Sequence, residues 1–485
     1  MLFHMNHPEA WIGHDEKADR GRSDVLTSNA SVRTETACQW AAAPETPEKR
    51  IVFLPRHRTN LLPLWNIRML TLESPYVILW IVRWITLDYP EIYFGIPEEM
   101  KAMIKRKAYE ALVRLAAQFP VVAITGPRQS GKTTLAKMAF PTKRYVTMDD
   151  KGMREIVKSN PGDFLKAFPD GVVIDEAQKV PELFDAIKLV VDSTEYIPGK
   201  YILTGSSQFR LKENISDSLA GRIGIIKLLP FSIGELAEEG LLTGDAYDYV
   251  YRGFYPPLYD KTKRFLRDDW FENYIDTYID LDVKDQINPS NVNAFRKLLQ
   301  VCAARSGQLL NYDDMSRSIG VSAVTVKAWL SILEASYIIH FLEPDTNNLG
   351  KSVVKTPKLY FVDSGLMCYL LRLDSKEELL LDDHKGAVVE TMAVSELLKK
   401  QFNVGKKANL TFFRDSHGFE VDIIADWKHT FAIEVKSSSE TERKMSANVT
   451  KYVEMRKDDV KGQVYYLGDL TCMVNDVKYV SWKDW

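Results

Sequence analysis

The sequence predicts an α/β protein in which a parallel sheet is followed by a helical region and a second α/β domain. Short apolar segments alternate with amphipathic helical segments between about residues 121 and 228, which is typical of a parallel sheet. A glycine-rich turn follows the first apolar segment, and two carboxylates follow the third. Nearer the C-terminus, residues 420–436 are predicted to form a β-hairpin that carries acidic side chains.

The bulk composition is that of an ordinary globular protein. The chain has 485 residues, of which 45% are hydrophobic and 27% charged, and its length suggests about three domains. The net charge of −3 gives no overall attraction to nucleic acid, so such a contact would need a local patch. The cysteines match no metal-site spacing and predict no disulfide framework, which fits a reducing cytoplasm. They are Cys38, Cys302, Cys368 and Cys472.

Residues 1–96 differ from the rest of the chain. Their apolar run at 76–82 ends at Arg83, so the uncharged stretch falls short of the roughly 20 residues that a membrane-spanning helix needs. We expect a poorly ordered N-terminal extension and no membrane partner, with the working protein beginning near Met100 or Met103. The alternative is a segment that binds a membrane surface or a partner.

A phosphate-binding loop is the most informative feature. Residues 126–133 have the spacing GxxxxGK[ST] between a predicted strand at 121–125 and a predicted helix. Glycines let backbone N–H groups surround a triphosphate, and the helix N-terminus adds its positive dipole end. We expect Lys132 to reach the β- and γ-phosphates of ATP and the Thr133 hydroxyl to bind Mg²⁺. The expected ATP-binding residues are Gly126, Pro127, Arg128, Gln129, Ser130, Gly131, Lys132, Thr133 and Thr134.

The rest of this core, predicted over residues 97–235, supplies candidate catalytic groups. Further strands are predicted at 144–148, 171–176, 200–204 and 223–228. The third strand of the core ends in a Walker B pattern, in which Asp175 would hold the Mg²⁺ shell and Glu176 would polarise the attacking water.

Three further residues lie where they would act on the γ-phosphate. Thr204 and Ser206 follow the fourth strand, where ligands of open α/β sheets gather, and would sense the γ-phosphate or its water. Arg222 precedes the fifth strand and would stabilise transition-state charge in its own subunit or a neighbour's. A surface salt bridge is an almost equal alternative for Arg222.

The segments GPRQSGKTT, VVIDEAQ, ILTGSS and LAGRI, in this order, resemble the prokaryotic AAA-type ATPases that carry a C-terminal domain of unknown function. The resemblance covers about residues 100–440. It implies ATP binding and a five-stranded core in which another strand separates the phosphate-loop and Walker B strands. It also implies that Glu176 is the catalytic glutamate.

The middle of the chain is predicted to contain a helical connection over 236–290 and a winged helix-turn-helix over 291–345. Gly320 would permit the turn, Ser322 would cap the second helix, and residues 338–341 would form the strand of the wing.

DNA binding by this module and a packing or protein-docking role both remain open. The second helix would offer only Thr325 and Lys327 to a DNA groove. Residues 291–345 carry five basic and five acidic side chains, which gives little attraction to phosphate.

Residues 350–485 are predicted to form a nuclease-like domain. In its hairpin, Glu434 and Lys436 share one face, and Asp422 lies nearly opposite Glu434. Two carboxylates beside a lysine can hold Mg²⁺ or Mn²⁺ and activate a water against a phosphodiester. The pattern D-x₁₁-ExK resembles the restriction-endonuclease-like, or PD-(D/E)xK, core, and the resemblance extends to Glu390 on a preceding helix. Candidates for a basic patch are Lys399, Lys400, Lys406, Lys407 and Arg414.

Two functions follow from these patterns. The first is an Mg²⁺-dependent ATPase that positions a winged helix and a nuclease-like domain on DNA. The second is a nucleotide-gated scaffold that binds DNA or protein and cuts nothing. The expected partners are therefore ATP, DNA, and a protein partner or a second copy of the chain.

Overall fold

The computed structural model describes residues 103–193, 195–205, 218–263, 265–284, 286–345, 353–456 and 459–485. The predicted N-terminal extension, residues 1–96, and Ser206 lie outside these described residues.

The first part is a five-stranded parallel sheet with strand order β2-β3-β4-β1-β5. Each predicted strand is present within one residue of its predicted bounds, and β4 separates β1 from β3, as the resemblance implies. The strands are β1 (Val121–Thr125), β2 (Arg144–Thr147), β3 (Val172–Asp175), β4 (Tyr201–Gly205) and β5 (Ile223–Lys227). The helices are α1 (Ala108–Ala116), α2 (Lys132–Ala139), α3 (Lys151–Ser159), α4 (Pro161–Lys166) and α5 (Glu182–Ser193).

Strand β1 is buried on both faces, which explains why its sequence is continuously apolar. Val121 and Ala123 belong to one hydrophobic cluster, whereas Val122 and Ile124 belong to another. Since side chains alternate along a strand, the helices cover both faces of the sheet. This packing fixes the carboxyl end of β1, from which the phosphate loop leaves.

A helical region follows, with an aromatic cluster in its core. Trp270 stacks on Tyr274 with ring centroids 5.1 Å apart, and Tyr255 packs against both. The helices are α6 (Ile233–Glu238), α7 (Ala246–Arg252), α8 (Arg267–Tyr278), α9 (Val292–Ala304), α10 (Tyr312–Ile319) and α11 (Ala323–Ala335). Helix α8 continues into a π-helical turn, Ile279–Val283.

Helices α10 and α11 lie in the segment predicted as a helix-turn-helix and meet at a bend of 99°. Gly320 adopts a φ of 77°, and the side chain of Ser322 accepts a hydrogen bond from the backbone N–H of Thr325, as expected for an N-cap. The strand predicted as the wing is β6 (Ile339–Pro344). It pairs with β7 (Lys358–Phe361) and β8 (Leu410–Arg414), so it belongs to the C-terminal sheet. The predicted boundary between 345 and 350 is therefore wrong, because it divides one sheet.

The C-terminal sheet has eight strands in the order β12-β13-β11-β10-β9-β8-β6-β7. Its remaining strands are β9 (Glu420–Asp426), β10 (Thr430–Lys436), β11 (Val460–Tyr466), β12 (Cys472–Val474) and β13 (Val477–Ser481). The helices are α12 (Ser364–Leu370), α13 (Lys376–Leu381), α14 (Lys385–Phe402) and α15 (Ala447–Met455). Helices α14 and α15 cover opposite faces of the sheet, and one hydrophobic core joins α14 to the helical region.

Among the described residues, no single helix is long and apolar enough to cross a membrane. The pair α10 and α11 meets the criteria of length and composition only when its two bent helices are taken together.

Candidate functional site

The phosphate loop connects β1 to α2 and depends on two glycines. Gly126 has a φ of 151°, and a Cβ atom there would lie 2.0 Å from the carbonyl oxygen of Leu228. Gly131 has a φ of 91° and immediately precedes the first helical residue, Lys132. Side chains are therefore excluded or strained at both positions. Thr134 lies in the first turn of α2.

Lys132 is buried inside the loop. Its Nζ donates hydrogen bonds to the carbonyl oxygens of Gly126, at 3.0 Å, and Pro127, at 2.7 Å. Burial lowers the pKa of Lys132 to about 8, and the negative charges of Glu176 and Asp175 offset only part of this shift. An ammonium group at this depth would interact strongly with a phosphate because little water screens it.

Asp175, the last residue of β3, gathers hydroxyl groups around its carboxylate. Thr133 Oγ1 lies 3.1 Å from both carboxylate oxygens, and Tyr145 OH donates to Oδ2 at 2.6 Å. The hydroxyl of Thr204 donates to Oδ1. Oxygen donors of this kind are the ligands that Mg²⁺ prefers, so Thr133 and Asp175 fit an ion bound with a nucleotide. Tyr145 was not predicted, because its approach to Asp175 depends on the pairing of β2 with β3.

Glu176 follows in a left-handed conformation, with a φ of 53°. Its carboxylate accepts a hydrogen bond from the side-chain amide of Gln178. The structure thus brings Lys132, Thr133, Asp175 and Thr204 together, with Glu176 next in the chain.

The loop is also held from outside by Arg106, which was not predicted. This buried guanidinium donates to the carbonyl oxygens of Ser130, at 2.5 Å, and Leu229, at 2.7 Å, and it pairs with Glu235 at 3.0 Å. Ser130 is fully buried, and its Oγ has no hydrogen-bond partner. The Ser130 hydroxyl is therefore available to donate a hydrogen bond to a phosphate oxygen.

Two further loop side chains contact the helical region. Arg128 forms a two-point ion pair with Asp282 of the π-helical turn, and Nη2 lies 2.9 Å from Oδ1. Gln129 accepts a hydrogen bond from Trp270 Nε1 at 3.2 Å. The side chains of Arg128 and Gln129 are therefore committed to neighbours, although their backbone remains part of the loop.

Arg222 lies at the amino ends of the strands, whereas the phosphate loop lies at their carboxyl ends. Ile223 pairs with Val121 in parallel register, so Arg222 precedes the amino end of β5 whereas the loop follows the carboxyl end of β1. Its guanidinium pairs with Asp192, with 2.9 Å between Nη2 and Oδ2. A catalytic role in its own subunit is therefore wrong on geometric grounds, whereas a role toward a neighbouring subunit stays a prediction.

The four predicted nuclease-like residues also lie together. The antiparallel register pairs Ile433 with Ile423, and Asp422 is at the next position opposite Glu434. The backbone N–H of Val435 donates to Asp422 Oδ2 at 2.8 Å. Lys436 Nζ donates to Glu434 Oε1 at 2.6 Å, while Glu434 Oε2 is buried without a hydrogen-bond partner.

Charge repulsion and burial perturb both hairpin carboxylates. Burial raises the pKa of Asp422 well above its usual value, and the charges of Glu390 and Glu434 raise it further. Burial also raises the pKa of Glu434, although Lys436 offsets part of this increase.

Lys358 and Tyr360, on β7, were not predicted to belong to this cluster. Lys358 Nζ lies 3.3 Å from Glu390 Oε1 and also pairs with Glu420, while Tyr360 OH donates to Glu390. In the described part of the chain, no three His, Cys, Asp or Glu side chains are arranged to hold a metal ion. Lys358 lies between Glu390 and Glu420, and a second Mg²⁺ or Mn²⁺ at this cluster stays a prediction.

One of the five residues predicted to form a basic patch is buried. Lys399 is 1% exposed, and its Nζ lies 2.8 Å from Glu396 Oε1, so it does not contribute to a positive surface. Arg414 pairs with Glu420 at 3.0 Å, and the remaining lysines, Lys400, Lys406 and Lys407, are exposed.

Three family models match successive parts of the chain. An AAA domain matches residues 118–237, and domains of unknown function match residues 243–377 (DUF8612) and 385–485 (DUF4143). Uncharacterized proteins of Mycobacterium tuberculosis and Mycobacterium bovis are each 28% identical over 295 residues, which cover 60% of this chain and 65% of theirs. The match to this chain thus spans about two thirds of the length of these curated relatives.

Solved structures resemble the chain at low identity. A Walker-type ATPase of Pyrococcus abyssi is 15% identical, with a TM-score of 0.38, over 56% of this chain and 96% of its own. RuvB of Thermotoga maritima is 16% identical, with a TM-score of 0.26, over 50% of this chain and 87% of its own. From the family match and the geometry of the loop, residues 118–237 form an AAA-type, nucleotide-binding P-loop domain.

Proposed function

We propose that the protein is an Mg²⁺-dependent ATPase whose nucleotide cycle acts on its C-terminal region. The observation that carries this proposal is the pairing of the phosphate loop with the helical region through Arg128 and Asp282. Because Arg128 of the phosphate loop is itself the partner of the helical region, we expect a change at the phosphates to change that contact.

The chemistry at the nucleotide would depend on five side chains. The Lys132 ammonium binds the β- and γ-phosphates, and Thr133 and Asp175 hold the Mg²⁺. The ion, when bound, neutralises charge on the phosphate oxygens. Glu176 orients the attacking water and withdraws its proton, and Gln178 fixes the carboxylate through its side-chain amide.

The coupling would run through the guanidinium of Arg128. Asp282 has only 9% of its side chain exposed, and Arg128 has 20%. A γ-phosphate would compete with Asp282 for this guanidinium, and weakening the pair would leave Asp282 a partly buried carboxylate with less compensation. Such a loss is costly enough to move the π-helical turn.

Hydrolysis is tested by ATP turnover with Mg²⁺. Lys132→Ala is expected to lower turnover by at least about 100-fold, because the phosphates lose their buried positive charge. Lys158→Ala, an exposed lysine on α3, serves as the matched control and is expected to keep wild-type turnover. Equal turnover by the wild type and Lys132→Ala would remove the hydrolytic function.

A second candidate function is DNA cleavage by the C-terminal region. The observation that favours it is the convergence of Glu390, Asp422, Glu434 and Lys436, the set that the nuclease resemblance requires. The alternative is a nucleotide-gated scaffold that binds DNA or protein and cuts nothing. The equal numbers of acidic and basic side chains over residues 291–345 argue against a DNA-directed enzyme and favour this alternative.

Linear, supercoiled and branched DNA with Mg²⁺ or Mn²⁺ separates these two candidates. Cleavage by the wild type that is lost in an Asp422→Ala/Lys436→Ala double variant supports the nuclease. Equal cleavage by both proteins points to a contaminant and rejects it. DNA retention that weakens steeply with salt, without cleavage, selects the binding alternative.

A further inference from the structure

The C-terminal cluster contains more carboxylates than the hairpin alone supplies. Four carboxylates contribute to it: Glu390 on α14, Glu420 and Asp422 on β9, and Glu434 on β10. Their side chains are buried or half-buried. Carboxylates this close repel one another strongly in a medium of low dielectric. The cluster therefore requires positive charge in its interior.

Lys358 supplies that charge from a rigid position. Its side chain is 2% exposed, and its Nζ lies between Glu390 Oε1, at 3.3 Å, and Glu420 Oε1. The ring of Phe412, whose centroid is 5.3 Å from Nζ, also lies beside the ammonium. Strand pairing fixes the backbone of Lys358, and the burial of its side chain restricts the movement of the ammonium.

Lys436 differs from Lys358 although both are lysines of the same cluster. The side chain of Lys436 is 33% exposed, and its Nζ pairs with the Oε1 atom of Glu434. The other oxygen of Glu434, Oε2, is buried and has no hydrogen-bond partner, although the residue is only 5% exposed. One oxygen of the cluster thus still lacks a donor or a cation, despite the presence of both lysines.

We propose that Lys358 is a built-in cation that takes the place of a divalent metal ion between Glu390 and Glu420. With this ammonium and the guanidinium of Arg414 in position, Glu390 and Glu420 are paired with cations without a metal. In the described residues, no three His, Cys, Asp or Glu side chains are arranged to hold a metal ion. Removal of the ammonium leaves the carboxylates of Glu390 and Glu420, with Asp422 nearby, without the cation between them. That set of oxygens suits a hard divalent cation.

The test is Mn²⁺ binding to the nucleotide-free, full-length chain, measured by electron paramagnetic resonance or calorimetry. Lys358→Met is expected to gain one Mn²⁺ per chain with at least tenfold higher affinity than the wild type. An added Asp422→Asn substitution is expected to abolish the gain. Lys444→Met is the control, because it removes a lysine that is 81% exposed and lies outside the cluster, and it is expected to change the affinity less than threefold.

Lys358→Met can also fail to fold, because it leaves buried carboxylates uncompensated. In that case Mn²⁺ is expected to restore the thermal transition, since a ligand that binds only the folded state stabilises it. The double variant Lys358→Met/Glu420→Gln has one carboxylate fewer than Lys358→Met, so its remaining carboxylates repel one another less. The Mn²⁺ binding test is repeated with this variant. If neither variant gains Mn²⁺ or is restored by it, or if the wild type binds Mn²⁺ as tightly as Lys358→Met, the proposal is wrong.

This inference concerns the cluster of the second candidate function but does not require cleavage. A gain of Mn²⁺ by Lys358→Met with no cleavage by any variant supports the built-in cation and rejects the nuclease. Cleavage that depends on Asp422, with no gain of Mn²⁺ by Lys358→Met, supports the nuclease and rejects the built-in cation.

Discussion

Asp175 shows how neighbouring side chains prepare a single carboxylate for its task. Hydroxyl groups from three elements donate to it: Thr133 of α2, Tyr145 of β2 and Thr204 of β4. Hydrogen bonds to an ionised group are stronger than those between neutral groups, so the orientation of this carboxylate is set before a metal binds. Tyr145 contributes through Asp175 and is therefore a positioning residue.

Tyr145→Phe removes one of these donors without changing the size of the side chain. We expect the Mg²⁺ affinity in ATP turnover to fall by roughly 10-fold, because partners that orient metal ligands typically contribute this much. The measurement is turnover as a function of Mg²⁺ at saturating ATP. Tyr201→Phe is the control, since the buried hydroxyl of Tyr201 has no hydrogen-bond partner. Superimposable Mg²⁺ curves for the two variants would exclude a positioning role for Tyr145.

The main contacts of the nucleotide site could be predicted from the sequence, whereas the contacts of Glu390 with strand β7 could not. Lys132, Thr133 and Asp175 belong to motifs in which chain spacing and the strand-loop-helix context dictate proximity, so their meeting could be predicted. Lys358 and Tyr360 precede the hairpin by dozens of residues and reach Glu390 only through the packing of β7. No local pattern encodes such a contact.

At the scale of elements, the burial of β1 could be predicted from the sequence, whereas the pairing of β6 could not. Strand β1 is apolar throughout because both of its faces are covered, and that property is visible in the sequence. Strand β6 was predicted as a wing, yet it pairs in parallel with β8 through Glu343–Thr411 and Pro344–Phe412. Periodicity predicts that a segment is a strand, but it does not specify a partner so distant in the chain.

Strand β6 also carries His340, whose partly buried side chain is expected to make the fold sensitive to acid. Burial and the positive charge of Lys227 lower the pKa of His340 to about 4. Between pH 6.5 and 4 the unfolded chain takes up a proton that the folded chain does not bind, so stability falls as the pH falls through this window. From pH 7 to 4.5 this loss amounts to roughly 2–3 kcal/mol.

His340→Gln is expected to remove that part of the acid sensitivity. Urea unfolding at pH 7 and pH 4.5 measures the change in unfolding free energy for the variant and the wild type. His429→Gln, in the turn between β9 and β10 at a position that is 43% exposed, is the control and is expected to lose as much stability as the wild type. An equal loss in His340→Gln would show that His340 does not carry the effect.

At the scale of the whole molecule, the nucleotide domain meets the rest of the chain at the phosphate loop and the end of β1. The hydroxyl groups of Thr125 and Tyr337 are 2.8 Å apart and buried. The ion pair between Arg106 and Glu235 adds a buried contact close to the loop, and the pair between Arg128 and Asp282 adds a partly exposed one. The phosphate loop therefore directly contacts the helical region. The hydrophobic core of that region continues into the C-terminal sheet.

Asp282→Asn tests this connection, because it keeps the size of the side chain and removes its charge. In the wild type, a saturating non-hydrolysable ATP analogue is expected to change amide hydrogen exchange both in the phosphate loop and over residues 267–283. In Asp282→Asn the change in the loop is expected to persist. The change over residues 267–283 is expected to fall by at least half, because a neutral amide no longer competes with phosphate for Arg128.

Asp280→Asn is the matched control for this experiment. Asp280 lies in the same π-helical turn, but it is 66% exposed, and its contact is with Lys284 at 3.8 Å. Because exposed pairs of this kind contribute little, the exchange pattern of Asp280→Asn is expected to match that of the wild type. If the nucleotide changes exchange over residues 267–283 equally in both variants, the signal passes to the helical region by a route other than Arg128 and Asp282. If it changes exchange there in neither variant nor in the wild type, the nucleotide cycle and the C-terminal region are uncoupled.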